Sequence, residues 1–355
     1  MDHETLNFPL KLAAKSHQLP EFKSLVSGRT TTRHPSLYKS DPNSTETLND
    51  TYERAITLMI AIRSHCKYTP EESLSQAIQT ELINLIYGSN FIEYAGTDYT
   101  TTAAICKKLF NEYVSPEEIL NSLQPTTTTT DENTSGTATT TIAVHKKGGM
   151  EVIQHAKALT YFLKKFYIEE EPLTESLILQ THRTLCEGTT HSDGTPWQEW
   201  AGIYRTYEIA ASSISPTNPS RLQKSIFIRA TAVPKYMTDM VEDFESLIGE
   251  AEMGNFDVID PFEIAAWLCT RYTGLVACIG DDGGRNISTV AGAGRDEYLG
   301  IANKANKVFH DEDGEVEVEA QTSHVRLTEL VVRKVLECAE RLVEVVIKAR
   351  DVEGG

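Results

Sequence analysis

Apolar residues in this chain recur mostly at helical spacing. The cleanest register is Leu74, Ile78, Leu82, Leu85 and Ile86, which predicts an amphipathic helix over 71–87. Thr69-Pro70-Glu71-Glu72 marks its start, with Thr69 as N-cap, Pro70 at the first helical position and Glu72 reaching back in a capping box. Upstream, Leu48, Tyr52, Ile56, Met59 and Ile60 mark a helix between Thr45 and His65. Downstream, 103–113 reads as helix, and Ser115-Pro116-Glu117-Glu118 opens a short one ending near Leu123. Val152, Ala156, Leu159, Phe162, Leu163 and Phe166 predict a helix over 150–167. Pro172-Leu173-Thr174 opens the next, with Leu177, Ile178, Thr181 and Leu185 on one face and Gly188 closing it. Helix returns after Pro234 (Tyr236, Met240, Phe244, Leu247, Ile248) and after Asp260-Pro261 (Ile264, Ala265, Trp267, Leu268). Residues 295–308 are expected to be helical, and Leu327, Leu330, Val331, Val335, Leu336, Leu342 and Val346 predict a long C-terminal helix.

Three stretches interrupt this pattern. Residues 1–45 are polar and poorly periodic and read as a partly ordered arm. Gln124 to Thr141 holds five consecutive threonines among Asp, Glu, Asn, Ser and Gly, which predicts a solvated loop over 124–148. The β-prone run Ile203 to Ala210 and the short Ile226-Phe227-Ile228, separated by Pro216 and Pro219, suggest a hairpin. The expected organisation is an arm (1–45), a helical region (46–123), a Thr-rich loop (124–148) and a main domain (149–350). The fold class is mainly α: a helical bundle with a small β-hairpin.

Composition narrows the partners. At 355 residues and 40% apolar content the chain can bury a sizeable core. A formal charge of −18 argues against nucleic acid, whose binders carry a basic patch. No run approaches the ~18 apolar residues of a membrane span, and Met1-Asp2-His3-Glu4 lacks the layout of a signal peptide. The six cysteines are scattered without a C-x-x-C, which fits reduced thiols in a cytoplasmic or nuclear protein and gives no metal framework. The acidic run from His310 to Glu319 lacks the spacing of a Ca²⁺ loop. His182 sits among helical core positions and reads as structural. Oligomeric state is not readable.

The candidate chemistry begins at Gly88-Ser89-Asn90-Phe91-Ile92-Glu93-Tyr94-Ala95-Gly96. Ser89 and Glu93 are one helical turn apart, so a helical backbone puts a hydroxyl and a carboxylate on one face. This stretch resembles the inhibitory motif of Fic-domain proteins, [Ser/Thr]-x-x-x-Glu-[Gly/Asn], with Tyr94 departing at the last position. The order of later segments is similar to that family too: Glu151-Val152 with Ala158, then Leu179 to Leu185, Gly202-Ile203-Tyr204-Arg205, Val233-Pro234, and Ala265-Ala266. The resemblance covers roughly residues 80 to 350. It implies a Fic-like helical bundle over 149–350 with a β-hairpin flap. It also implies transfer of AMP from ATP, with Mg²⁺, to a hydroxyl of a protein substrate, with Glu93 as the brake and Gly202 and Arg205 at the flap.

The catalytic block of that family, His-Pro-Phe-x-[Asp/Glu]-Gly-Asn-Gly-Arg-x-x-Arg, is absent. Its histidine is a general base, its acidic residue holds Mg²⁺, and its glycine turn leads into a helix N-terminus that cradles phosphate. The nearest string is Ala277 to Arg285, in which Asp281, Gly284 and Arg285 match and Gly283 replaces the asparagine. Asp281-Asp282-Gly283-Gly284 is equally strong ordinary turn chemistry. No histidine occurs from 192 to 309, so no catalytic residue is assigned. A second alignment takes Tyr272-Thr273-Gly274-Leu275-Val276 and Arg295 to Ala302 as similar to the segment that follows the catalytic helix. On that alignment the loop and catalytic helix are missing between Cys269 and Tyr272.

The expected function is therefore a Fic-like AMP transferase without its catalytic block, or a non-catalytic protein-binding scaffold on the same fold. Loss of a central helix leaves apolar faces without a partner. At roughly 25 cal/mol per Å² that removes several kcal/mol, against a typical total of about 5–15 kcal/mol. Differential scanning calorimetry should show a broad melt at low temperature; a cooperative melt at high temperature would mean the core is complete without that helix.

Overall fold

The computed structural model describes residues 4–18, 48–93, 95–122, 135–189, 194–208, 210–215, 218–226, 229–252, 265, 268 and 317–353. Over these the protein is mainly α with one antiparallel strand pair. In chain order the elements are α1 (Phe8–Gln18), α2 (Leu48–Cys66), α3 (Glu71–Ile92), α4 (Tyr99–Asn111), α5 (Pro116–Ser122), α6 (Ser135–Leu163) and α7 (Glu175–Cys186). Then come β1 (Ala210–Ser215), β2 (Asn218–Ile226), α8 (Val233–Glu252) and α9 (Glu317–Glu353). The chain divides into two compact units: Met1–Leu19 with Cys66–Ile203 and Ala349–Gly355, and Pro20–His65 with Tyr204–Lys348.

In the first unit, the register that predicts α3 supplies its buried stripe, with Leu82, Ile83 and Ile86 facing inward. These pack with Phe8 and Leu12 of α1, Ile105, Cys106, Leu109 and Phe110 of α4, Ile119 of α5, and Val152, Ile153 and Ala156 of α6. α7 lies along α6 and buries Leu177, Ile178, His182 and Cys186 at helical spacing. Thr174 caps α7, its hydroxyl accepting from the Leu177 amide at 3.1 Å. Ser115 and Glu118 make the reciprocal capping box of α5: the Ser115 amide donates to Glu118 Oε2 at 2.8 Å and the Glu118 amide to Ser115 Oγ at 3.2 Å.

Several boundaries differ from the sequence expectation. α3 continues through Gly88 to Ile92. A mid-helix glycine costs only about 1 kcal/mol relative to alanine, and buried Ile86 and Asn90 hold the turns on either side of it. The N-cap position falls on Pro70, which makes no side-chain cap bond, and Thr69 one residue before it is buried. α6 starts at Ser135, so 135–148 of the expected loop is helical, while 124–134 lies outside the described residues. Once packing fixes 150–163, each added residue gains one backbone hydrogen bond, and propensity is too weak a force to forbid extension. α6 ends in a π-helical turn, Lys164–Ile168. Within the expected arm, residues 8–18 are helical and bury Phe8, Pro9, Leu12 and Ala13; this short helix, opening on Phe8-Pro9, lies in an arm that is otherwise polar. The Asn7 amide donates to the Phe110 carbonyl at 2.8 Å and seats α1 on α4.

In the second unit, Ala55 and Ile56 of α2 pack with Val332 and Leu336 of α9, and Arg54 pairs with Glu340 at 2.5 Å. α8 buries Val233, Met237, Met240 and Phe244 along one stripe. The hairpin is displaced from its expected limits. Residues 203–208 are not strand; the ladder runs from Ala210↔Ile226 to Ile214↔Leu222, with a register irregularity before Ser215↔Asn218. Pro219 falls in that irregular part, where its missing N–H breaks no regular ladder bond. Of the predicted helix at 260–269 only residues 265 and 268 are described, both helical, and 295–308 lies outside the described residues.

Ile86 is fully buried and Leu85 is 54% exposed, although both belong to one apolar register. Ile86→Ala should cost about 2–5 kcal/mol and Leu85→Ala about 0.5 kcal/mol or less, read as shifts of the urea midpoint. Equal shifts would mean that the face assignment of α3 is wrong.

Candidate functional site

The end of α3 places Ser89 and Glu93 one turn apart. The Glu93 amide donates to the Ser89 carbonyl at 3.4 Å, and Glu93 closes the helix with φ −90° and ψ 5°. Ser89 is half-buried and Glu93 is exposed. Beyond them the chain reverses tightly. The Ala95 amide donates to the Asn90 carbonyl at 2.9 Å, and Gly96 takes φ +75°. A Cβ there would lie 3.0 Å from the Asn90 side chain, so conformation and space both require glycine.

This turn is held on α6. The Gly96 amide donates to Glu151 Oε2 at 2.7 Å, a charge-assisted bond. One turn earlier on α6, the backbone of Gly148 meets the Gly96 carbonyl so closely that a Cβ would stand 2.2 Å from the oxygen. One turn later, His155 Nδ1 donates to Asn90 Oδ1 at 3.0 Å. Lys147 lies 3.7 Å from Glu151, on the same helix. After the turn, Asp98 caps α4 by accepting from the Thr101 amide at 3.0 Å and the Thr101 hydroxyl at 2.7 Å. The Thr101 hydroxyl bond, followed by the amide bond, holds the Asp98 carboxyl below its ordinary value. Tyr99 stands edge-on to Tyr87, with ring centres 5.3 Å apart.

Gly202 and Arg205, the other assigned residues, have packing roles in the described residues. Gly202 takes φ +71°, and a Cβ would lie 2.8 Å from the Leu179 carbonyl oxygen and 2.9 Å from Arg183 Cβ. Its amide donates to His182 Nδ1 at 3.1 Å, which puts the His182 proton on Nε2. A shallow groove beside it is lined by Glu175, Ser176, Leu179, Gln180, Arg183 and Gly202. The Arg205 side chain is buried; Nη1 donates to the Tyr207 carbonyl at 3.0 Å and lies 3.9 Å from the Glu208 carboxylate. Glu208 in turn accepts from the Ala230 amide at 3.2 Å. Arg205 and Glu208 thus tie the two ends of the hairpin together.

Asp281, Gly283, Gly284 and Arg285 lie outside the described residues, as does Tyr94. Among the described residues no group of three or more His, Cys, Asp or Glu is gathered for a metal ion, and no helix is long and apolar enough to cross a membrane. Sequence reasoning missed Gly148, Gly96 and His155 as partners of the Ser89–Glu93 turn. The Gly148-Gly149 pair just before the predicted helix was the available signal, since a glycine at a helix often has a packing reason. Nothing local to His155 pointed to it.

The crystal structure of a Fic domain containing signaling protein from Bacteroides thetaiotaomicron is similar to this chain. The two share 18% sequence identity over 83% of this chain and 96% of that one, with a TM-score of 0.49. No family model and no curated protein matches the chain.

Burial pushes the His182 imidazole down to about 4 from an ordinary 6.5. The unfolded chain therefore binds this proton before the folded one does, and stability is lost as pH falls from about 6.5 towards about 4. The histidine accounts for up to about 3 kcal/mol of that loss. Between pH 7 and 5 the urea midpoint should fall, and His182→Asn should flatten the fall. An unchanged slope in the variant would mean that His182 is charged in the folded state.

Proposed function

We propose that this chain is a Fic-type helical protein that keeps the inhibitory turn and the hairpin but does not transfer AMP efficiently. The observation that carries this reading is the junction of two segments quoted for the resemblance. The turn that follows Ser89 and Glu93 is bonded through Gly96 to Glu151, the first residue of the Glu151-Val152 segment. Residues 55 positions apart in sequence are thus joined at a single hydrogen bond. In such a protein Glu93 acts as the brake by occupying an arginine that would otherwise meet the γ-phosphate of ATP. In the degenerate string Asp281 stands at the Mg²⁺ position, Gly283 and Gly284 in the turn, and Arg285 at the first of the block's two arginines. The lost activity rests on the absent histidine: none stands between 192 and 309 to take a proton from a target hydroxyl.

A second reading keeps the fold and assigns it to protein binding alone. It is favoured by the tie of buried Arg205 through exposed Glu208 to Ala230, which supports the hairpin without any catalytic group. On this reading the hairpin is a flap that engages a partner protein, and no nucleotide is turned over.

Transfer of labelled AMP from Mg²⁺-ATP to proteins of a cell extract separates these outcomes, comparing the unaltered chain with Glu93→Gly. Neither folded protein should label. Strong labelling by the variant alone would show a working, glutamate-inhibited site and overturn the loss of activity.

A further inference from the structure

We infer that Glu151 is a positioning residue for Glu93, holding the turn that carries it in one place through the Gly96 amide. The inference rests on the proposed role of Glu93 as a brake. A brake of this kind works only if its carboxylate is held at a defined point, and Glu93 itself stands exposed at the last turn of α3. The backbone that carries it must also be held, beside any contact of the side chain itself. Three groups on one face of α6 hold it, at positions 148, 151 and 155, spaced three and four residues apart. The Gly148 backbone abuts the Gly96 carbonyl, Glu151 accepts the Gly96 amide at 2.7 Å, and His155 bonds Asn90 at 3.0 Å. Gly96 is thus gripped on its amide and its carbonyl, three residues after Glu93. Asn90 ties the other side, since its carbonyl accepts from Ala95 while its side chain reaches α6.

The grip is specific in chemistry. An acceptor is needed at 151, because the Gly96 N–H points there. No side chain is tolerated at 148, because a Cβ would stand 2.2 Å from a backbone oxygen. Glu151→Ala removes the acceptor, Glu151→Gln retains a neutral one, and Gly148→Ala forces the turn away from α6 by a different route. Glu93 is untouched in all three.

The test uses the full chain and two readouts. Amide hydrogen exchange is followed at 95–97, with Ile153 and Ile178 as core references. Glu151→Ala and Gly148→Ala should speed exchange at 95–97 by about tenfold or more, as expected for losing a bond to a charged group. The core references should not change, and Glu151→Gln should restore most of the protection. Unchanged exchange at 95–97 in Glu151→Ala overturns the inference, whatever the activity. Labelled AMP transfer is then measured beside Glu93→Gly. If Glu93→Gly labels, Glu151→Ala should give at least a tenth of its signal, and labelling no higher than the unaltered chain overturns the inference. If Glu93→Gly does not label, no working site lies behind the brake. The positioning of the turn is then decided by exchange alone, with faster exchange rescued by Gln supporting it.

Discussion

The close approach of two backbones, at Gly96 and Gly148, sets much of the arrangement around the candidate site. Helices normally keep their axes 8–10 Å apart because side chains stand between them. Here a turn without a side chain at Gly96 meets a helix without one at Gly148, so the carbonyl of one reaches the backbone of the other. Only then can the Glu151 carboxylate accept the Gly96 amide at 2.7 Å, and only then does Asn90 come within 3.0 Å of His155. The α3–α4 connection is fixed by the same contact, since Asp98 begins α4 two residues after Gly96.

Packing supports this contact from below. Leu82, Ile83 and Ile86 share a core with Val152, Ile153 and Ala156, which settles how α3 lies against α6. The polar groups then select one geometry within that arrangement. Buried polar groups are costly when unmatched, and Asn90, 7% exposed, would be a liability if its oxygen did not meet His155. The hairpin region follows the same logic. A buried Arg205 side chain is accommodated by the Tyr207 carbonyl and nearby Glu208, and Glu208 also holds the Ala230 amide on the far side of the strands.

Much of the helical content was legible because core-facing residues of an amphipathic helix leave a 3.6-residue period. α3, α5 and α7 appear near their expected places, and the Ser115–Glu118 and Thr174 caps are local signals with local partners. The helical extension of α6 back to Ser135 and the seating of α1 were not legible. Both depend on docking to distant elements, which local propensity does not encode. The strands were displaced for a related reason: the first paired segment is made largely of Ser and Ala and the second is mostly polar, and backbone pairing overrides side-chain preference there.

By itself the sequence determined that the chain is mainly helical, that Ser89 and Glu93 stand one turn apart, and that no histidine is available across 192–309. These are facts of composition, period and spacing, which need no contact between distant residues. Only the tertiary structure decided that the turn after Glu93 rests on α6, and that Gly148, Glu151 and His155 are the residues that hold it. It also decided that the Arg205 side chain is turned inward to the base of the hairpin. The physical reason for the first is that a hydrogen bond between residues 55 or 65 apart exists only after the core has brought two helices together, and nothing in either local segment announces it.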